Sequence, residues 1–116
     1  AARGDAAGGT FIFDEVDAGI GGRTASQVGA RLAALSRTAQ VIVVTHLAQV
    51  AAYADRQIVV AKGMGDGLTL TQVRTVEDDE REHELARMLS GETSDTAIRH
   101  AADLLVRAER GSIEGT

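Results

Sequence analysis

Cysteine, proline and tryptophan are absent from this chain, and aromatic residues number three, Phe11, Phe13 and Tyr53. Without cysteine there can be no disulfide, no thiolate zinc site and no cysteine nucleophile. No apolar run approaches the roughly 18 residues that a membrane span requires, and no cationic and apolar signal segment opens the chain. These absences predict a soluble, cytoplasmic protein with no membrane partner. Lysine is nearly missing too: Lys62 is the single one, beside eleven arginines. A basic stripe of the kind that neutralises nucleic-acid phosphates is not visible, so this chain is not expected to grip DNA by itself.

What is present is small and acidic. Of 116 residues, 20 are alanine, and Leu, Ile, Val and Phe together supply 28. Such a chain builds at most one domain, with a thin alanine-rich core suited to close helix-on-sheet packing. The formal charge is −5, and the densest cluster, Glu77 to Glu84, holds six carboxylates around Arg81 and His83. It reads as a solvated helix face, with a docking surface for a basic partner as the functional alternative.

Residues 1–9 are small and aperiodic and read as a leader. Thr10 to Phe13 is a short apolar strand ending at Asp14 and Glu15, followed by a glycine-rich turn. Val28, Leu32 and Leu35 recur at helical spacing up to Thr38. Val41 to Val44 is a continuous β-branched run, predicting a strand buried on both faces, and it ends at Thr45 and His46. Leu47 to Ala54 reads as a short helix and Ile58 to Ala61 as a third strand. Glycines 63, 65 and 67 then turn into an antiparallel hairpin arm through Val73. Asp78 to Ser90 is helical, Gly91 breaks it, and Thr93 or Ser94 caps a last helix to about Glu109, with a frayed tail from Gly111.

The order strand–helix–strand–helix–strand predicts an α/β fold with parallel strands and crossover helices. The expected divisions are a 10–62 βαβαβ core, a 63–76 hairpin arm, a 77–110 helical end and a 111–116 tail.

Ligands in such sheets bind at the carboxyl ends of the strands, and there the first two strands carry chemistry. Thr10-Phe11-Ile12-Phe13 followed by Asp14-Glu15 reads as a Walker B pattern: the aspartate holds magnesium directly or through water, and the glutamate polarises a water for attack on a γ-phosphate. Acids also end strands simply because they favour turns. His46 closes the second strand, where an imidazole can meet a terminal phosphate; a packing or helix-start role is the plain alternative. Between them, Gly19, Gly21 and Gly22 either present backbone N–H groups to an anion or partner, or make a tight turn. The conjunction of two neighbouring strand ends favours the functional reading of Asp14, Glu15 and His46.

The strings FIFDEVDAGIGG and VIVVTHLAQVAAYAD, with EREHELARMLSG further on, resemble the C-terminal lobe of the ATPase head of the RecN family, SMC-like DNA-repair proteins of the ABC type. The resemblance runs from about Thr10 to Leu105. It implies a partial P-loop NTPase lobe of ABC/SMC head type, using ATP and magnesium. By the resemblance Asp14 is the magnesium-supporting Walker B aspartate and Glu15 the catalytic glutamate. Asp17, Gly19, Gly21 and Gly22 belong to the D-loop that crosses the dimer interface, and His46 is the switch histidine at the γ-phosphate.

Two family elements have no counterpart. No G-x-x-x-x-G-K-[ST] loop occurs, and no ABC signature precedes Walker B. Leu89-Ser90-Gly91-Glu92 imitates that signature on the wrong side of Walker B and reads as a helix C-cap. The resemblance therefore implies a partner, the N-terminal Walker A lobe of the same parent protein, and a second head in a homodimer. The parent's implied role is ATP hydrolysis in double-strand-break repair, with DNA contact and nucleoid association belonging to the parent; the chain alone is expected to be inactive. Two other readings are a Toprim-like magnesium-dependent phosphoryl-transfer lobe and a non-catalytic dimerisation module.

Overall fold

A computed structural model describes residues 9–14, 22–65 and 68–114. The elements in order are β1 (Thr10–Asp14), α1 (Gly22–Leu35), β2 (Gln40–Val44), α2 (Ala48–Ala51), β3 (Gln57–Gly65), β4 (Leu68–Val76), α3 (Asp78–Ser90) and α4 (Asp95–Glu114). The fold is α/β, as the alternation of apolar runs and helical periodicities predicts.

β1 and β2 pair in parallel, in register from Thr10 opposite Gln40 to Asp14 opposite Val44. At their start the Gln40 N–H donates to the Gly9 carbonyl at 2.9 Å, and the Thr10 hydroxyl donates to Gln40 Oε1 at 2.9 Å. One face of this pair, carrying Phe11, Phe13, Val41 and Val43, is half-buried. The other is bare: Ile12 is 70 % exposed, Ile42 44 % and Val44 55 %. This corrects the expectation that the second strand is covered on both sides. A β-branched run reports what a strand is suited to face, and here nothing among the described residues covers one side of it.

The third strand also departs from expectation. β3 does not extend the parallel pair; it forms a separate two-stranded antiparallel sheet with β4, from Gln57 opposite Val76 to Gly65 opposite Leu68. The hairpin therefore begins at Gln57, and the parallel sheet among the described residues is two-stranded. A short connection joins antiparallel neighbours directly, whereas a parallel partner needs a crossover, so the nearby glycine-rich turn decides the pairing of β3. Ile58, Val60 and Val73 share one exposed face of the hairpin.

The buried core is helix on helix rather than helix on sheet. Ala48, Ala51 and Ala52 from α2 and its end, Leu85 and Ala86 from α3, and Ala97, Ala101 and Ala108 from α4 form one cluster, with Tyr53, Met88 and Leu105 among the partly buried residues against it. Alanine at these positions lets backbones approach closely, which is how a chain poor in large side chains fills a core without voids. α3 has Asp78, Asp79 and Glu80 in its first turn, complementing the helix dipole. It stops at Gly91, whose φ of 82° is left-handed and whose N–H returns to the Arg87 carbonyl at 2.7 Å. The Leu89–Glu92 string is thus a helix C-cap. Ser94 caps α4, its hydroxyl accepting from the Ala97 N–H at 3.2 Å. α4 runs on to Glu114, past the expected end near Glu109.

One long-range device ties these parts together. Arg81 of α3 reaches under the end of α2 and donates to the carbonyls of Ala51 (3.2 Å), Ala52 (3.4 Å) and Ala54 (2.8 Å), and through Nε to Gln57 Oε1 at 3.1 Å. Burial pulls its guanidinium below the ordinary arginine range, opposed by the nearby Asp55 carboxylate.

Candidate functional site

The parallel register makes β1 and β2 end level. Asp14 is the last residue of β1 and lies opposite Val44, the last of β2, so Thr45 and His46 leave the sheet at the edge where Asp14 stands. Asp14 and His46 are both exposed. Of the other residues singled out in the sequence, Glu15, Asp17, Gly19 and Gly21 lie outside the described residues, and Gly22 is the first residue of α1.

Thr45 shapes the turn that carries His46. Its hydroxyl oxygen accepts the Leu47 N–H at 3.0 Å, a side-chain turn that bends the chain out of β2 and into α2. Leu47 is extended at φ −101°, ψ 123°, and the Ala51 N–H returns to the Leu47 carbonyl at 3.1 Å, closing the first turn of the helix. α1 opens at Gly22 with exposed Arg23 next in line.

Among the described residues no group of three or more histidines, aspartates or glutamates could hold a metal. Asp14 is the carboxylate at the strand edge, a hard oxygen donor of the type magnesium takes one or two of while keeping waters and phosphate oxygens for the rest. An open cleft of about 650 Å³ lies elsewhere, lined by Tyr53, Asp55, Asp78, Arg81, Glu82 and Glu109 among others, and neither Asp14 nor His46 borders it. It is a gap beside the Arg81 anchor rather than a phosphate cradle.

No family model matches the sequence. DNA repair protein RecN of Streptomyces coelicolor is 55 % identical over 104 residues, covering 87 % of this chain and 18 % of that protein. The chain is RecN-like. RecN of Mycobacterium leprae is 56 % identical over 106 residues, 90 % of this chain and 18 % of its own length, and RecN of Bacillus subtilis 40 % over 107 residues, 91 % and 19 %. The chain thus spans just under one fifth of the RecN proteins it matches. A solved structure from work on ATP-driven dimerization and DNA-stimulated activation of SMC ATPases superposes with a TM-score of 0.51 at 24 % identity, covering 61 % of this chain and 42 % of that one. What the two chains share is the fold.

One contact in this RecN-like chain has only a faint signal in the sequence. Gly29 sits within a helical pattern and Tyr53 reads as packing, yet the two are in direct opposition between α1 and the end of α2. A glycine inside a helix costs about 1 kcal/mol relative to alanine, and that cost was the one available hint.

Proposed function

We propose that this chain is the Walker B, D-loop and switch-histidine part of an SMC-like ATPase head, in a protein that hydrolyses ATP between paired heads during repair of DNA double-strand breaks. The observation that carries the reading is the level ending of β1 and β2, with Asp14 and Thr45-His46 at one strand edge, in a sequence 40–56 % identical to RecN. An α/β head of this type binds its ligand at that edge.

In this reading Asp14 holds the magnesium ion, directly or through water. Bound magnesium supplies charge neutralisation at the phosphate oxygens. Glu15 orients and polarises the attacking water, and His46 donates toward the terminal phosphate. Residues 17–22 meet the second head. Because no glycine-rich lysine loop occurs in the sequence, the contacts to the α- and β-phosphates come from the Walker A lobe of the same parent protein. The bare apolar side of the sheet, Ile12, Ile42 and Val44, supports a missing complement, because sheets of parallel strands are ordinarily covered on both faces.

The test is steady-state ATP hydrolysis by this chain alone, and mixed with a Walker A-bearing N-terminal lobe, with Glu15→Gln as control. Turnover in the mixture only, lost on substitution, is the expected result. Glu15-dependent turnover by the chain alone would mean that a phosphate cradle lies within these 116 residues. No turnover in a mixture whose lobes demonstrably associate would overturn the proposal.

A further inference from the structure

The helices that follow the two parallel strands pack against each other. α1 opens at Gly22 and α2 at Ala48, two residues beyond His46. Tyr53, just past α2, lays its ring against Gly29 in the middle of α1. A Cβ at Gly29 would stand 2.5 Å from Tyr53 Cδ2 and 3.1 Å from Cε2 and Cγ. Carbons in favourable contact lie about 3.5–4.0 Å apart, so this notch admits a hydrogen and no more. Gly29 is buried and in regular helix. Its backbone therefore does not call for glycine; the space does. Tyr53 is held in turn by the alanine-rich core of α2, α3 and α4.

We infer that Gly29 and Tyr53 are positioning residues for the nucleotide site: their contact fixes α1 against α2, and so fixes where Gly22, the first residue of α1, stands relative to His46. The inference rests on the reading that both segments serve one site. Its second support is the stiffness of the path. From His46 to Tyr53 the chain passes through the Thr45–Leu47 turn and then a single helical turn, each closed by hydrogen bonds. A shift of the tyrosine ring has little slack to be absorbed in. Neither residue touches the reacting atoms, and the contact acts through geometry alone.

The experiment uses the full-length RecN-type protein containing this segment, with Gly29→Ala, Tyr53→Ala and the double variant. The readouts are kcat, KM for ATP and the folded fraction by circular dichroism. Misplacement by about 1 Å at a distance from the chemistry can cost about 100-fold, so Gly29→Ala is expected to lower kcat per folded molecule by roughly 10- to 100-fold. KM for ATP is expected to stay within about twofold, because the principal phosphate contacts lie elsewhere. The double variant, with room for the new methyl, is expected to recover part of the lost kcat although it is no more stable than Gly29→Ala. A contact that only supports the fold would lower the folded fraction and leave kcat per folded molecule unchanged.

If Gly29→Ala does not fold, Tyr53→Leu, which keeps apolar volume and withdraws the ring, carries the same test. Wild-type kcat per folded molecule in the folding variants overturns the inference. Glu15→Gln, run alongside, separates the two levels. Normal turnover in Glu15→Gln defeats the reading of the site itself. A dead Glu15→Gln beside a normal Gly29→Ala defeats only the positioning inference.

Discussion

Arg81 donates to the carbonyl of Ala54 across 27 residues of chain, at 2.8 Å, and the same guanidinium serves the carbonyls of Ala51 and Ala52. α2 is four residues long, too short to be stable by itself; the Tyr53 and Ala54 N–H groups serve the Val50 and Ala51 carbonyls at 3.1 and 3.0 Å, and the carbonyls of Ala52 and Ala54 are left to another donor. The arginine supplies those bonds and a positive charge at the negative end of the helix.

Arg81→Met keeps much of the side-chain stem and removes every donor. Leaving buried carbonyls unsatisfied costs about 1–3 kcal/mol per group, and these sites are partly open to water. A loss of about 2–3 kcal/mol is expected, read as a shift in the urea midpoint of the isolated chain. Arg81→Lys is expected to recover less than half of it, since one ammonium cannot reproduce the forked geometry. An unchanged midpoint in Arg81→Met would remove the capping role.

Gly91 and Gly29 are both glycine for reasons that substitution separates. At Gly91 a Cβ meets nothing within 4 Å, but the backbone is left-handed at φ 82°. Gly91→Ala therefore pays a conformational cost alone, about 1–2 kcal/mol. Gly91→Asn, which tolerates that region better, is expected to lose about half as much. At Gly29 the backbone is helical and the neighbour is the obstacle, so Gly29→Asn is worse than Gly29→Ala. The two glycines should thus rank alanine and asparagine in opposite order in thermal melts.

How much of this was legible in the sequence depends on which physical signal each part rested on. α3 was readable to the residue, from Asp78 to Ser90, because an acidic first turn and a left-handed glycine mark both ends. The level strand ends were equally plain, since Asp14 and Thr45-His46 follow apolar runs and the parallel register needs only those runs to pair. β3 was misplaced because an apolar run of four says strand and does not say with whom. The bare side of β2 was invisible for a related reason: a sequence carries the faces it is suited to cover, whether or not the covering partner is present. Gly29 and Tyr53 are 24 positions apart, and no local pattern links a helix glycine to a distant ring.

The exposed apolar side of the β1–β2 pair makes its own prediction. Ile12, Ile42 and Val44 stand at least 44 % exposed on one face. Contiguous apolar surface of this kind drives association. Ile12→Thr with Ile42→Thr keeps β-branched strand formers and is expected to leave the stability of the isolated chain within about 0.5 kcal/mol. The same pair should lower self-association in sedimentation velocity and weaken binding to a Walker A lobe. If binding to that lobe is unaffected while self-association falls, this face belongs to contacts between copies rather than to the head.

Asp14 offers the sharpest separation of fold from chemistry. It is an exposed residue at the end of β1, opposite Val44, so its carboxylate is not needed to pair the strands. Asp14→Asn preserves shape and removes the charge that the proposed magnesium support requires. Metal-assisted charge stabilisation is worth several kcal/mol, so turnover in the reconstituted head is expected to fall by about 100-fold or more. Association of the two lobes without nucleotide should be unchanged, because the substitution touches no apolar face. Asp14→Glu places the carboxylate one methylene further out and is expected to fall between the two, with partial recovery at raised magnesium. Full turnover in Asp14→Asn, with lobes that still associate, would mean that this aspartate ends a strand and does nothing more.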